Sequence, residues 1–322
     1  MIVNIENTGI KLPDFFIVGA ARAGTTTLFA YLDEHPGVFL PREKEPMFFA
    51  VHGQDWSPID NRTGQRAGYV VDALSDYADL FKRAEDGQLI GEASTWYLYC
   101  DQTTIRNIKK IYGSKASEVK IVILLRNPAQ RAWSHYWLKR RNGEESLSFD
   151  QAIRPEVIRE RLEKHYTVGF DYLGFGRYCR AVESYLDNFP RVKVLLFEEM
   201  IKDLPAAFLE ISRFLGLTSL ADTRAGKKWR NVAGPPKNAF FGILARLIYR
   251  PSGLKSLVKE AAPYRVRAGL KYRLSETLFQ RERLPGDFEK RLTDFYREDI
   301  LALARLLGRN LDHWLAPETT RT

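Results

Sequence analysis

Cysteine is scarce in this 322-residue chain, with Cys100 and Cys179 the only two. Two thiols set among apolar neighbours make no disulfide framework, and both are expected to be reduced residues of a core. Long apolar runs are missing as well: no stretch reaches the ~20 residues that a membrane-spanning helix needs. The N-terminal MIVNIENTGIKLP lacks the basic-then-apolar order of a secretory signal, so the cytoplasm is the expected location. The five histidines are scattered. Without an H-E-x-x-H pair or a Cys/His cluster, no metal centre is expected. A G-x-S-x-G elbow for acyl chemistry is absent, and so are internal repeats and low-complexity segments.

What remains is an ordinary globular composition, 45% hydrophobic and 28% charged. Lysine and arginine outnumber the acids 49 to 40, a formal charge of +9. Such a surface favours anionic partners without choosing among nucleotides, acidic glycans, nucleic acid or lipid. No aromatic–basic recognition motif appears, so nucleic acid is not the expected partner.

Apolar segments read as strands at 15–19, 37–40, 88–92, 119–126 and 192–199. VKIVILLR (119–126) is the clearest, a near-continuous β-branched and leucine run suited to burial on both faces. Helical patterns fall between them, at 25–34, 74–83, 102–112, 128–141, 149–164, 174–188 and 203–215. This alternation predicts an α/β fold of one domain with a central, mostly parallel β-sheet flanked by helices. The core is expected over 13–235. A helical, basic C-terminal part follows over 236–315, with a long helix at 285–308.

Two segments carry chemistry. In DFFIVGAARAGTTTLFAYL (14–32) a strand ends at Gly19 and a helix opens after Gly24, the setting of a phosphate-cradling loop. Glycines there permit positive φ and close backbone approach, and the N–H groups and partial positive charge of a helix start bind anions. Arg22 supplies a cation, and Thr25, Thr26 and Thr27 supply hydroxyls. Thr25 stands where a triphosphate loop carries its lysine. On the residues alone, a glycine-rich turn without chemical meaning also remains open. In ILLRNPAQRAWSHY (123–136) a buried strand ends in Arg126 and Pro128 begins a helix. An arginine at the carboxyl end of a sheet strand points into the crevice where open α/β sheets bind ligands, and its fork matches a phosphate. Ser134 adds a hydroxyl. A surface ion pair for Arg126 is the plainer alternative.

Together the two segments resemble the sulfotransferase family that uses 3′-phosphoadenosine-5′-phosphosulfate (PAPS), closest in motif to its carbohydrate-directed, heparan-sulfate-like members. The resemblance implies that the P-loop-like segment, with Arg22, Ala23, Gly24, Thr25, Thr26 and Thr27, holds the 5′-phosphosulfate, and that Arg126 and Ser134 bind the 3′-phosphate. A phosphosulfate rather than a triphosphate explains the missing lysine. HPGVFLPREKEPMFF (35–49) is similar to the region where carbohydrate-directed members place a catalytic glutamate, which implies Glu45. IGEASTWYL (90–98) and FGRYCRAVESYLDNFPRVKVLLFEEM resemble later family segments. KKWRNVAGPPKN (227–238) loosely matches a second cofactor loop, implying Trp229, Arg230 and Lys237 as nucleotide contacts. Arg22 departs from the lysine of many relatives.

Sulfuryl transfer builds negative charge on the departing bridging oxygen, so cations and N–H donors placed there act mainly in the transition state. Arg22, Lys44 and the threonines fill that role, and Glu45 is the expected base for the acceptor hydroxyl, with Glu43, Glu92 and His135 as rivals. The expected product is 3′-phosphoadenosine 5′-phosphate (PAP), with no metal required and a hydroxyl-bearing acceptor, preferably a carbohydrate. The basic amphipathic stretch 240–273 suits a packed helix with a charged outer face, a peripheral membrane contact or a lid. A nucleotide kinase and a noncatalytic anion-binding module are the alternatives from other classes.

Overall fold

The computed structural model describes residues 1–5, 8–55, 57–68, 70–218, 234–238, 241, 274, 276–280 and 282–316. Trp229, Arg230 and, apart from Phe241, the stretch 240–273 lie outside the described residues. The chain divides into two compact units, each assembled from separated segments. One comprises Met1–Pro58, Arg66–Arg126 and Arg180–Lys227; the other comprises Ile59–Gln65, Asn127–Cys179 and Lys228–Thr322.

The first unit holds the sheet. Strands β1 (Ile2–Ile5) and β2 (Thr8–Lys11) form a small antiparallel pair that the alternation argument did not anticipate. Five further strands are β3 (Phe15–Gly19), β4 (Val38–Phe39), β5 (Leu89–Ala93), β6 (Lys120–Leu125) and β7 (Val192–Leu196). They lie in the order β4-β5-β3-β6-β7, every pairing parallel. Phe15 to Val18 of β3 and Ile121 to Leu125 of β6 are wholly buried, as central strands covered on both faces must be. Helices Thr25–Leu32, Trp96–Tyr99, Asp101–Tyr112, Cys179–Asn188, Phe197–Lys202 and Leu204–Leu215 accompany the sheet. Tyr31 of the first stacks on Phe208 of the last, at 3.9 Å between ring centroids, and its hydroxyl shares a 2.8 Å hydrogen bond with Ser212.

Among its described residues the second unit holds the helices Pro128–Arg141, Phe149–Ala152, Pro155–Glu163, Gly286–Leu307 and Asp312–Leu315. Pro128 occupies the first turn of its helix, and the Asn127 side chain caps it by accepting from the Gln130 amide. The buried Glu145 carboxylate takes both arms of the Arg161 guanidinium at 2.7 and 2.8 Å and a 2.9 Å bond from the Tyr172 hydroxyl. Those bonds outweigh burial and hold the Glu145 carboxyl below its ordinary range.

Several expected elements differ in extent. The helix expected at 149–164 is two helices, because Pro155 has no N–H to continue the first and starts the second instead. The strand expected to reach 199 stops at Leu196, and Phe197 begins a helix. Cys179 opens the helix expected from 174, after a 3-10 turn at Gly174–Gly176. Both cysteines are free thiols at half-buried positions, and burial pushes the Cys100 thiol up to about 12. Among the described residues no helix is long and apolar enough to cross a membrane.

Candidate functional site

Three chain segments meet the carboxyl edge of the adjacent strands β5, β3 and β6. At β3, Gly19 leads into the turn Ala20–Gly24 and the helix from Thr25. Gly24 caps that helix with φ 94°, and its carbonyl accepts from the Thr27 and Leu28 amides. A Cβ at Gly24 would stand 2.5 Å from Met200 Cε and 3.0 Å from the Phe197 ring, so glycine is required by both conformation and space. Ala23 is fully buried, Thr25 and Thr27 are nearly so, and Arg22 is half-exposed. Arg22 itself adopts φ 71°, a left-handed conformation uncommon outside glycine.

At the end of β6, Arg126 donates from Nη1 to the Arg22 carbonyl at 3.1 Å, and its guanidinium lies 4.8 Å from the centre of the Phe197 ring. The two predicted phosphate arginines therefore belong to one local structure, with the Arg126 cation laid on an aromatic face. Phe197 was missed by sequence reasoning, which took it for the tail of β7. A signal was available: FEEM reads equally well as a helix start with acids in its first turn.

Beside β5 runs the segment Lys44–Phe49. The Glu45 amide donates to the Ala93 carbonyl at 3.0 Å, the Met47 amide to Ser94 Oγ at 3.1 Å, and the Phe49 amide to the Tyr97 hydroxyl at 3.3 Å. Phe48 and Phe49 are fully buried. Phe49 meets Phe16 of β3 edge to face at 5.3 Å, and Phe48 stacks on Tyr77 at 4.3 Å. These rings anchor the short helix Phe48–Val51. Glu45 and Met47 carry φ values of 65° and 60°. Left-handed conformations of this kind cost on the order of 1–3 kcal/mol each and persist only where surrounding contacts impose them. Lys44 Nζ pairs with Glu45 Oε1 at 3.0 Å and sits 5.9 Å from the centre of the Phe29 ring. The Glu45 side chain is 34% exposed and Lys44 10%, so the carboxylate is the solvent-facing member.

The rivals for the base are placed differently. Glu92 is fully buried. It accepts hydrogen bonds from the Tyr97 and Tyr77 hydroxyls at 2.6 and 3.1 Å. His135 lies buried in the second unit with Nδ1 3.2 Å from Arg131 Nη1. Ser134 is buried on the same helix of that unit. Lys237 donates from Nζ to the Glu276 carbonyl at 2.8 Å, and its amide pairs with the Leu278 carbonyl. Among the described residues no cluster of three or more His, Cys, Asp or Glu side chains is arranged to hold a metal.

Comparison with known proteins bears on this arrangement. Over 164 residues the chain is 28% identical to membrane-associated sulfotransferase kil1 of Dictyostelium discoideum, covering 48% of this chain and 30% of that protein. Over 329 residues it is 24% identical to bifunctional heparan sulfate N-deacetylase/N-sulfotransferase 2 of Homo sapiens, covering 97% of this chain and 32% of the relative. The chain thus spans about a third of the length of these curated relatives. A sulfotransferase from Alicyclobacillus acidocaldarius of known structure is 28% identical, superposes with a TM-score of 0.68, and is matched over 95% of this chain and 100% of its own. Residues 13–222 match the model of the sulfotransferase family, a span that takes in the β3 loop, the Glu45 segment and Arg126. On that match the chain belongs to the sulfotransferase family.

Proposed function

We propose that the chain transfers a sulfuryl group from PAPS to an acceptor hydroxyl, with a glycan or glycolipid favoured. The observation that carries this reading is the convergence at one sheet edge: Arg22 and the threonines after β3, Arg126 after β6, and Glu45 held against β5. Family membership supports the donor, and the heparan-sulfate-directed relatives support a carbohydrate acceptor.

The donor set suits the nucleotide. The loop from Gly19 to Thr27 offers hydroxyls, a guanidinium and helix-start amides without a single acid, which fits a phosphosulfate. The bound donor supplies an activated sulfuryl group and a phosphate leaving group. Arg22 and the Thr25, Thr26 and Thr27 hydroxyls hold the 5′ end and stabilise charge that develops on the bridging oxygen. Arg126 takes the 3′-phosphate through parallel hydrogen bonds. Glu45 accepts the proton of the acceptor hydroxyl. Lys44, its ion-pair partner, keeps a cation beside the developing charge.

The test is transfer of labelled sulfate from PAPS to a panel of desulfated heparan, a galactosyl lipid and 4-nitrophenol, with Glu45→Gln alongside. This variant keeps the shape and loses the basicity, so kcat should fall roughly 10²–10⁴-fold with PAP affinity within about threefold. Glu43→Gln, removing a charge two residues earlier, should cost far less. Equal losses in the two variants would mean a general electrostatic effect and end the base assignment. Absence of PAP binding by calorimetry would end the donor reading.

A further inference from the structure

Glu92 is a carboxyl taken out of water with no cation beside it. Among the described residues no ion pair reaches it. Its Oε2 accepts from Tyr97 and Tyr77, and Oε1 has no hydrogen-bond partner. Burial pushes the carboxyl up to about 7 against the pull of the Tyr97, Ser94 and Tyr77 hydroxyls, and the Glu45 charge adds to the push. The hydroxyls of Tyr77, Tyr97, Tyr112 and Tyr185 are all pushed well above their ordinary range, by burial first and by the Glu92 charge in addition. An apolar residue would fill this place at lower cost. The hydrogen bonds around Glu92 supply the reason for a carboxyl.

Tyr97 has one proton to give. Because it goes to Glu92, the oxygen lone pairs remain for the Phe49 amide, which donates to them at 3.3 Å. The next two residues of β5 and its exit, Ala93 and Ser94, accept from the Glu45 and Met47 amides. Three alternate amides of the segment 45–49 are thus received by the stretch 93–97. The two positive-φ residues of that segment, Glu45 and Met47, are among those whose amides are gripped. We propose that Glu92 is a positioning residue: by fixing the Tyr97 hydroxyl it completes the clamp that keeps the backbone at Glu45 in the conformation aiming its carboxylate at the acceptor. This inference rests on Glu45 being the base.

A protonated Glu92 keeps the clamp, since the proton can sit on Oε1 and leave Oε2 to both tyrosines. Gln reproduces that state and Leu abolishes it. Turnover is followed with the most active acceptor of the panel above, or as release of labelled sulfate to water if none turns over. Glu92→Gln should hold kcat within about threefold. Glu92→Leu should lose about 10²-fold in kcat, the scale of a misplaced catalytic group, with PAP affinity and acceptor KM within about threefold. Tyr97→Phe, which keeps the ring and loses the acceptor for Phe49, should lose kcat in the same way, and it serves if the leucine variant does not fold. Because Glu92 acts through Glu45, adding Glu92→Leu or Tyr97→Phe to Glu45→Gln should cost nothing further. A slow Glu45→Gln enzyme slowed again by the second change overturns the positioning role alone. A fully active Glu45→Gln enzyme overturns the base assignment on which it rests. Parallel losses of kcat and PAP affinity in Tyr97→Phe would reduce Glu92 to a structural residue.

Discussion

Gly24→Ala tests whether the candidate donor loop depends on glycine for conformation, for space, or for both. At φ 94° an L-residue pays about 1–2 kcal/mol for its left-handed backbone. The added methyl would also lie 2.5 Å from Met200 Cε and 3.0 Å from Phe197 Cδ2. Met200 presents the far end of a flexible chain and can swing aside. Phe197 cannot move freely, because the Arg126 guanidinium lies on its ring. Overpacking of this kind adds about 1–3 kcal/mol, for a total loss of about 2–5 kcal/mol in urea unfolding. Displacement of Phe197 carries Arg126 with it, so PAP affinity by calorimetry should fall on the order of tenfold, equivalent to 1.4 kcal/mol. Gly87 is the control: it has φ 86° and nothing within 4 Å of a built Cβ. Gly87→Ala should pay the backbone term alone and leave PAP binding untouched. A Gly24→Ala protein no less stable than Gly87→Ala, with wild-type PAP affinity, would refute the reasoning.

Arg126→Ala should weaken PAP binding by about 1.5–3 kcal/mol, the worth of hydrogen bonds to a charged group, while adenosine 5′-phosphosulfate, which lacks the 3′-phosphate, binds as before. Equal losses for both ligands in calorimetry would remove Arg126 from the 3′ site. Glu92 predicts a pH-dependent stability. Its carboxyl sits at about 7 in the folded chain against an ordinary 4.5, so the folded state holds the extra proton between those values. Stability is therefore full below about 4.5 and is lost as pH rises through 7. At about 1.4 kcal/mol per tenfold in proton affinity the loss is on the order of 3 kcal/mol. Glu92→Gln has no such titration: its unfolding free energy relative to wild type should improve from pH 5 to pH 8 by about that amount. A difference that stays constant across this range would show that Glu92 is not held as argued.

The local structure around the candidate donor loop was legible because its elements are written within short runs of sequence. A strand, two bracketing glycines and a threonine-rich helix start lie within one short run, and LLRNP states both a strand end and a proline-led helix. The parallel sheet followed from alternation, and β6 from its unbroken apolar run. The Glu45 support was not legible. Nothing in KEPMFF says that alternate amides will be received by residues some fifty positions later. Nor does IGEAST announce that its glutamate will be sealed beneath two tyrosines, one of them from a helix before the strand. Pairing across that distance is tertiary, and period-based reading sees only the element on which each partner sits. The misjudged end of β7 has the opposite cause: LLFEEM is compatible with either structure, and packing against Gly24 and Arg126 decides it.

The sheet order carries a consequence for how the protein is made. The first strand of the parallel sheet to leave the ribosome, β3, is also its centre, and both its partners come much later, at Leu89–Ala93 and Lys120–Leu125. Until then Phe15–Gly19 is an apolar segment with two bare edges, the kind of segment that chaperones cover and that aggregates when they do not. Closing such long loops before any pairing is rewarded makes folding slow. The last strand, β7, ends only at Leu196, so a chain interrupted before that point would carry the candidate donor loop without Phe197 and Met200, the side chains that stand against Gly24.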